Sequence, residues 1–370
     1  MVRCFFLRQV SLVVVFALMF AVFVINVVAD EPRRSHAKPL IDVPLRSGLE
    51  PRPEVPVFVV ASSGLRVLVS KDDGITWEQK LLLSDDAGDG GHGPYGVHGL
   101  AYADGLFSLF SGWGASGYWL GSTDAENWMH LSATKEGTEY SNVLGVVAVP
   151  GMIVSAGSNS VSISGDLGKT WRVLKMRSLG IRTHHMKPAF GDYDGGRIVV
   201  AGDGPMVIYS KDKGKAWDAG DVSGGYTQNN GRFFVAGNII YGNGVFLINS
   251  GDKGTVTRSI DGGETWSGKI ETGAERIGYR ALSFVRGEFW LAGRKSRASK
   301  DGLTWRDLPG TIPPGPMAQS DGGTLISVTR EGIHRSTDGV NWKLVLKVPE
   351  KDTSWTLRHV AFGHVAKKSQ

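Results

Sequence analysis

Cysteine is nearly absent: the single one among 370 residues is Cys4. It stands in a segment expected to be removed on export. The mature chain would then have no disulfide, no thiolate metal site and no cysteine nucleophile. Cys4 also stands too early to be a lipid-anchored cleavage-site residue. Charge of one sign is lacking too, with 41 Lys and Arg against 36 Asp and Glu. The basic residues are scattered, which argues against a nucleic-acid partner. Long helical patterns are few, and the 51 glycines follow no three-residue period, which excludes collagen. What is plentiful is glycine together with 11 tryptophans, the composition of many short strands joined by tight turns.

The first 29 residues read as an export signal. Arg3 and Arg8 make a basic start, Val10 to Ala29 is apolar except for Ser11 and Asn26, and Val27-Val28-Ala29 is a small-residue cleavage site. The run is long for a signal peptide, and about 20 apolar residues span a bilayer, so an uncleaved anchor is the alternative. Either way the body is expected outside the cytoplasm, secreted or periplasmic, and membrane contact follows only if the segment stays. Without Arg3 and Arg8 the net charge falls from +5 to +3. Residues 30–55 carry Pro32, Pro39, Pro44, Pro51 and Pro53 with no apolar period, and read as an extended tether. The folded body is expected over 56–364, with a tail at 365–370.

One pattern organises that body. Ser-x-Asp-x-Gly-x-Thr-Trp occurs at Ser70–Trp77, Ser164–Trp171 and Ser259–Trp266, with a near copy at Ser210–Trp217 that has Ala216 for Thr. Copies one residue shorter stand at Ser122–Trp128, Ser299–Trp305 and Ser336–Trp342. Seven of the 11 tryptophans thus hold equivalent places, and successive copies begin 37 to 52 residues apart. The carboxylate of Asp72, Asp124, Asp166, Asp212, Asp261, Asp301 or Asp338 can accept backbone N–H groups within the turn. Glycine supplies the positive φ, and Thr and Trp favour the strand that follows. The Trp is expected to cover apolar surface between neighbouring sheets. A calcium reading fails, because no copy has ligands at alternate positions with a closing Glu. No metal and no cofactor are expected.

Upstream of each turn, two apolar strands flank a glycine turn, as in Asn238–Ile248, Gly99–Phe107 and Ala281–Phe289. Each unit therefore holds strands A, B and C, the repeated turn, then D, which is the content of a propeller blade. The first unit has Val57–Ser62 as B and Leu65–Val69 as C, but no A. Leu357–Gly363 resembles an A strand and has no B, C or D after it. The expectation is an all-β, seven-bladed propeller of four-stranded antiparallel blades, its first blade completed by the C-terminal strand so that no edge stays unpaired.

These motifs resemble the Asp box, or bacterial neuraminidase repeat, of the sialidase-like β-propellers. The resemblance covers about residues 56–364. It implies that the seven aspartates are structural and lie away from the ligand face. The family includes sialidases, glycoside hydrolases of plant polysaccharides, sorting receptors and a photosystem II assembly factor. Sialidases carry Arg-Ile/Leu-Pro before the first Asp box and usually have six blades. This chain reads Arg52-Pro-Glu-Val-Pro-Val57 there and has seven copies. It is closer to the seven-bladed members that are not sialidases.

The opposite face, built from D-to-A and B-to-C loops, is where such propellers commonly bind ligands. Its candidates here are His98, Trp113, His184, His185, Tyr226, Asn229, Arg276, Tyr279, Arg280 and Arg358. Arg and Asn suit a carboxylate or sulfate, the aromatics suit sugar rings, and His or Tyr can move protons. The plainer reading is that loops are polar and exposed, or that the arginines bridge to Glu275, Glu136 or the Asp85–Asp89 loop and stitch blades together. His184 and His185 are adjacent, so on a strand they would face opposite ways. The function expected is a monomeric binding or scaffold module for a glycan, another anionic ligand or a protein. The alternative is a polysaccharide-active enzyme, a lyase or glycoside hydrolase. In a lyase, Arg or Asn would neutralise a uronate carboxylate while Tyr226 or a His takes the α-proton.

Overall fold

The computed structural model describes residues 55–84, 95–112, 117–131, 143–181, 183, 185–203, 206–222, 238–249, 254–277, 280–349 and 356–366. It is a seven-bladed β-propeller: seven sheets, each of four antiparallel strands, with no α-helix among the described residues. The innermost strands are Leu357–Val365 in blade one, then Val97–Ala103, Val143–Val149, Lys187–Gly191, Asn238–Gly242, Leu282–Val285 and Met317–Gln319 in blades two to seven. Each neighbours the next around the ring, and the seventh returns to the first.

Closure follows from the sequence. Strand B of blade one, Val55–Ser62, pairs on one side with strand C, Arg66–Ser70. On the other side it pairs with Leu357–Val365, in register from Val55 with Val365 to Ala61 with His359. Blade one is thus built from both ends of the described chain, and neither end leaves an open edge.

The A-to-B turns are tight because two consecutive residues take left-handed backbone. Asp104-Gly105, Asn243-Gly244 and Arg286-Gly287 all have positive φ, which matches the right-handed twist of the flanking strands. The core lies between blades. Val59, Leu65 and Val67 of blade one pack with Leu100, Phe107 and Leu109 of blade two, and Leu247 of blade five packs with Leu282 and Phe289 of blade six.

The repeated turn works as its residues dictate. In the first copy Ser70 donates Oγ–H to Asp72 Oδ1 at 2.8 Å and accepts from the Gly74 N–H at 2.8 Å, while the Thr76 N–H donates to Asp72 Oδ1 at 2.9 Å. The third copy repeats these bonds at Asp166. The length difference among copies has a backbone cause. The long form places two residues at positive φ, as in Asp73-Gly74 or Lys213-Gly214, and the short form only one, Ala125, Gly302 or Gly339. The glycines also face the preceding blade. A Cβ on Gly74 would stand 2.4 Å from Ile326 Cδ1 of blade seven, and one on Gly302 would stand 2.7 Å from Leu247 Cδ1 of blade five. The Trp that ends each copy packs backwards as well: Trp171 meets Trp119 of blade two edge-on, with ring centroids 4.0 Å apart.

Candidate functional site

All seven innermost strands begin at the same end of the ring, so their first residues surround one mouth of the central channel. His98 on blade two, Lys187 on blade four, Asn238 on blade five, Arg280 just before the inner strand of blade six, and His359 on blade one line one cavity of about 450 Å³. That volume suits a small ligand. No Asp or Glu is among the described residues that line it. Below this collar the lining turns apolar, with Leu100, Val146, Ile239, Phe190, Tyr241 and Phe284. Glycines admit two of these rings. A Cβ on Gly191 would stand 2.4 Å from Tyr241 Cδ2, and one on Gly242 would stand 2.2 Å from Phe284 Cε2. Burial and a hydrogen bond with Asp192 push the Tyr241 hydroxyl up to about 12.

The collar is crowded with nitrogen. Arg280 donates from Nη1 to Nε2 of His359 at 2.8 Å and to the Arg358 carbonyl at 3.3 Å. Burial holds His359 well below the usual imidazole range, and Arg280, His98, Arg358 and Lys187 push it the same way. Burial also holds Lys187 well below the usual ammonium range, with Arg280 adding to this and Asp203 opposing it. Lys187 and His98 are each only 5% exposed. A negatively charged group entering the mouth would stabilise every one of these nitrogens in its charged form.

The candidates read from sequence separate here. His98 and Arg280 meet in the cavity. Arg358 is next to it, but its guanidinium is half-buried, with burial and then Arg330 holding its pKa down; its contribution to the mouth is a backbone carbonyl. His185 has left-handed backbone, and its Nδ1 lies 2.6 Å from Asp203 Oδ2, outside the cavity lining. Arg276 lines a second cavity of about 760 Å³ with Ile277, Pro313, Arg330, His334 and Trp342. Glu275, a candidate bridge for these arginines, pairs with Arg294. Trp113, His184, Tyr226, Asn229 and Tyr279 lie outside the described residues.

Two lining residues, Lys187 and His359, were passed over in favour of near neighbours, His185 and Arg358. Lys187 is the first residue of its inner strand, whereas His185 stands ahead of it on left-handed backbone; His359 and Arg358 are adjacent on the closing strand and face differently. Among the described residues no three His, Cys, Asp or Glu side chains gather as a metal site would require.

No model of a known protein family matches the sequence, and neither does any curated protein. Solved structures do match in fold. A candidate 6-phosphogluconolactonase of Bacteroides uniformis superposes with a TM-score of 0.54 at 9% identity, over 83% of this chain and 99% of that one. Streptogramin B lyase gives 0.53 at 12% identity, over 70% and 85% of the two chains. YCF48 from Cyanidioschyzon merolae gives 0.50 at 14% identity, over 76% and 95%. At these identities the likeness is one of architecture, and the same ring carries unrelated activities.

Proposed function

We propose that this chain is an exported Asp-box propeller of the sialidase-like superfamily that acts as a binding module, and that it holds an anionic ligand in the collar of His98, Lys187, Arg280 and His359. One observation carries the reading. Four nitrogen-bearing side chains from blades one, two, four and six converge on one cavity whose described lining has no carboxylate. Basic side chains brought together in this way oppose one another's charging, and an anion relieves that opposition. The apolar throat beneath them accepts the uncharged body of the same ligand. A uronic acid residue or a sulfated sugar has both parts, a flat apolar ring face and a fixed negative charge. A single carboxylate can take a paired hydrogen bond from Arg280 while an amine or imidazole meets its other side.

The buried amine of Lys187 supports a second reading, a lyase. An amine whose burial favours its neutral form, next to a guanidinium that neutralises a uronate carboxylate, can take the α-proton. Lys187 or His359 then holds the role that sequence alone gave to Tyr226 or another histidine.

A glycan array at low and moderate salt tests the proposal. Uronic or sulfated glycans bind, binding weakens with salt, and Arg280→Ala abolishes it without lowering the melting temperature of the fold by more than a few degrees. Absence of any anionic ligand, with Arg280→Ala chiefly unfolding the protein, leaves the collar as a structural feature. Loss of polymer mass with formation of unsaturated ends selects the lyase.

A further inference from the structure

The end of the ring opposite the collar carries an asymmetry that the binding site does not use. Six large apolar residues are well exposed among those described: Ile75, Leu179, Ile260, Leu303, Val340 and Leu344. Five of these six stand in or just after the repeated turns of four consecutive blades. Ile260 is on blade five, Leu303 on blade six, Val340 and Leu344 on blade seven, and Ile75 on blade one. Ile75, Leu303 and Val340 hold the same place, immediately before the Thr or Asn of the turn, and Ile75 and Leu303 are 57% and 54% exposed. Blades two, three and four have Glu126, Lys169 and Lys215 at that place. Scattered exposed apolar residues are ordinary, but an arc on successive blades is not.

The arc is held in shape. Asn243 of blade five donates to the carbonyls of Gly287 and Lys300 on blade six. Arg286 of blade six donates to the Thr337 and Asp338 carbonyls in the turn of blade seven. Arg335 of blade seven donates from Nε to the Asp73 carbonyl in the turn of blade one at 2.8 Å. Lys300 and Lys343 are exposed and stand three residues from Leu303 and Val340 in the sequence.

The first strand starts at Val55, which pairs with Val365. The next residue, Ala366, donates its N–H to the Thr123 carbonyl in the repeated turn of blade two at 2.7 Å. Val55 is therefore at the turn end of the ring, the end that carries the apolar arc. Only residues 30–54 separate it from the apolar run that closes at Ala29. Twenty-five residues can span at most about 80–90 Å, at about 3.3–3.6 Å each.

We propose that the turn end of blades five, six, seven and one rests on a lipid bilayer. Ile75, Ile260, Leu303 and Val340 dip into the interfacial region, and Lys300 and Lys343 meet the headgroups. No helix of the described residues is long and apolar enough to cross a membrane. The collar, at the other end of the ring, then opens away from the bilayer. The proposal is independent of what the collar binds.

Depth quenching tests it. The full chain carries Cys4→Ser and one of Ile75→Cys, Leu303→Cys, Lys169→Cys or Lys215→Cys, each coupled to a fluorophore. It is reconstituted in phosphatidylcholine vesicles that contain phosphatidylglycerol and a lipid bearing a nitroxide on its acyl chain. The labelled positions are exposed, and an unchanged melting curve confirms the fold. The expected result is quenching several-fold stronger at positions 75 and 303 than at 169 and 215. Equal quenching at all four positions, or none at any, overturns the proposal. Protection of position 303 that disappears on protein dilution, without lipid quenching, overturns it in favour of contact between two copies.

Discussion

Arg280 reaches from blade six past blade seven to blade one, where its Nη1 donates to Nε2 of His359 over 2.8 Å. A nitrogen that accepts a hydrogen bond carries no proton, so the ring is neutral with its hydrogen on Nδ1. The burial and the positive neighbours that hold His359 below the imidazole range act in the same direction. An anion at the collar would favour the protonated form of this ring.

Anion binding is expected to take up protons. Burial favours the neutral forms of Lys187 and His359, and an entering carboxylate or sulfate favours their charged forms, so affinity rises as the pH falls. Calorimetry of a bound uronic oligosaccharide in two buffers of different ionisation enthalpy reads the uptake directly. Identical heats in both buffers contradict it.

The same ring makes the unliganded protein sensitive to mild acid. In the unfolded chain His359 takes a proton near pH 6.5, whereas the fold resists it until lower pH. Its contribution to stability is full above about pH 6.5 and declines as the pH falls below it. Urea midpoints measured from pH 8 to 5 should fall in the natural protein and fall less in His359→Gln. Parallel slopes rule out this assignment.

Lys187→Met separates charge from packing. Methionine keeps most of the buried volume and removes an amine that is costly to charge there, so stability is expected to hold or rise. Affinity for an anionic glycan should drop about tenfold, the loss of one charge-assisted contact near 1.4 kcal/mol. A variant that unfolds while its folded fraction binds normally would assign Lys187 to the scaffold.

The repeated turns should be acid-sensitive in a different window. All seven aspartates are held below the usual carboxylate range. For Asp72, Asp124, Asp166, Asp261 and Asp301 burial works against this, and hydrogen bonds from the turn outweigh it; at Asp212 and Asp338 the backbone bonds themselves come first. A depressed carboxylate stabilises the fold above its unfolded value near pH 4 and ceases to do so as the pH falls through the folded value. Asp166→Ala should cost about 1–3 kcal/mol at neutral pH, through unpaired turn N–H groups, and leave ligand affinity per folded molecule unchanged. Denaturant titration beside a binding isotherm checks both, and a selective loss of binding would contradict a structural role.

Gly74→Ala joins two faults at one atom. Its φ of +85° is left-handed, and its Cβ would stand 2.4 Å from Ile326 Cδ1. Strain and overpacking each cost about 1–3 kcal/mol. Ile326→Val alongside it should recover part of the loss, because the clash is with that methyl. Chemical denaturation of the two single variants and the double variant gives the coupling.

Ring closure was legible in the sequence because a blade without strand A and a strand without a blade cannot both be left with bare edges. Seven Ser-x-Asp turns fixed the blade number, and glycine before each A-to-B return fixed the hairpins. These are local rules: a turn needs a carboxylate, a left-handed residue and a β-former within eight positions, whatever the rest of the chain does. The collar was visible only as a list of loop residues. Selecting His359 over Arg358 required the register of the closing strand, where a shift of one residue exchanges them; His185 drops out because its left-handed backbone stands ahead of the inner strand, which starts at Lys187. Arg276 has the same type and loop position as Arg280 and lines a different cavity. Which polar side chains face one another depends on strand register and on the rotation of each blade about the ring. Only the packing of all seven blades settles those quantities.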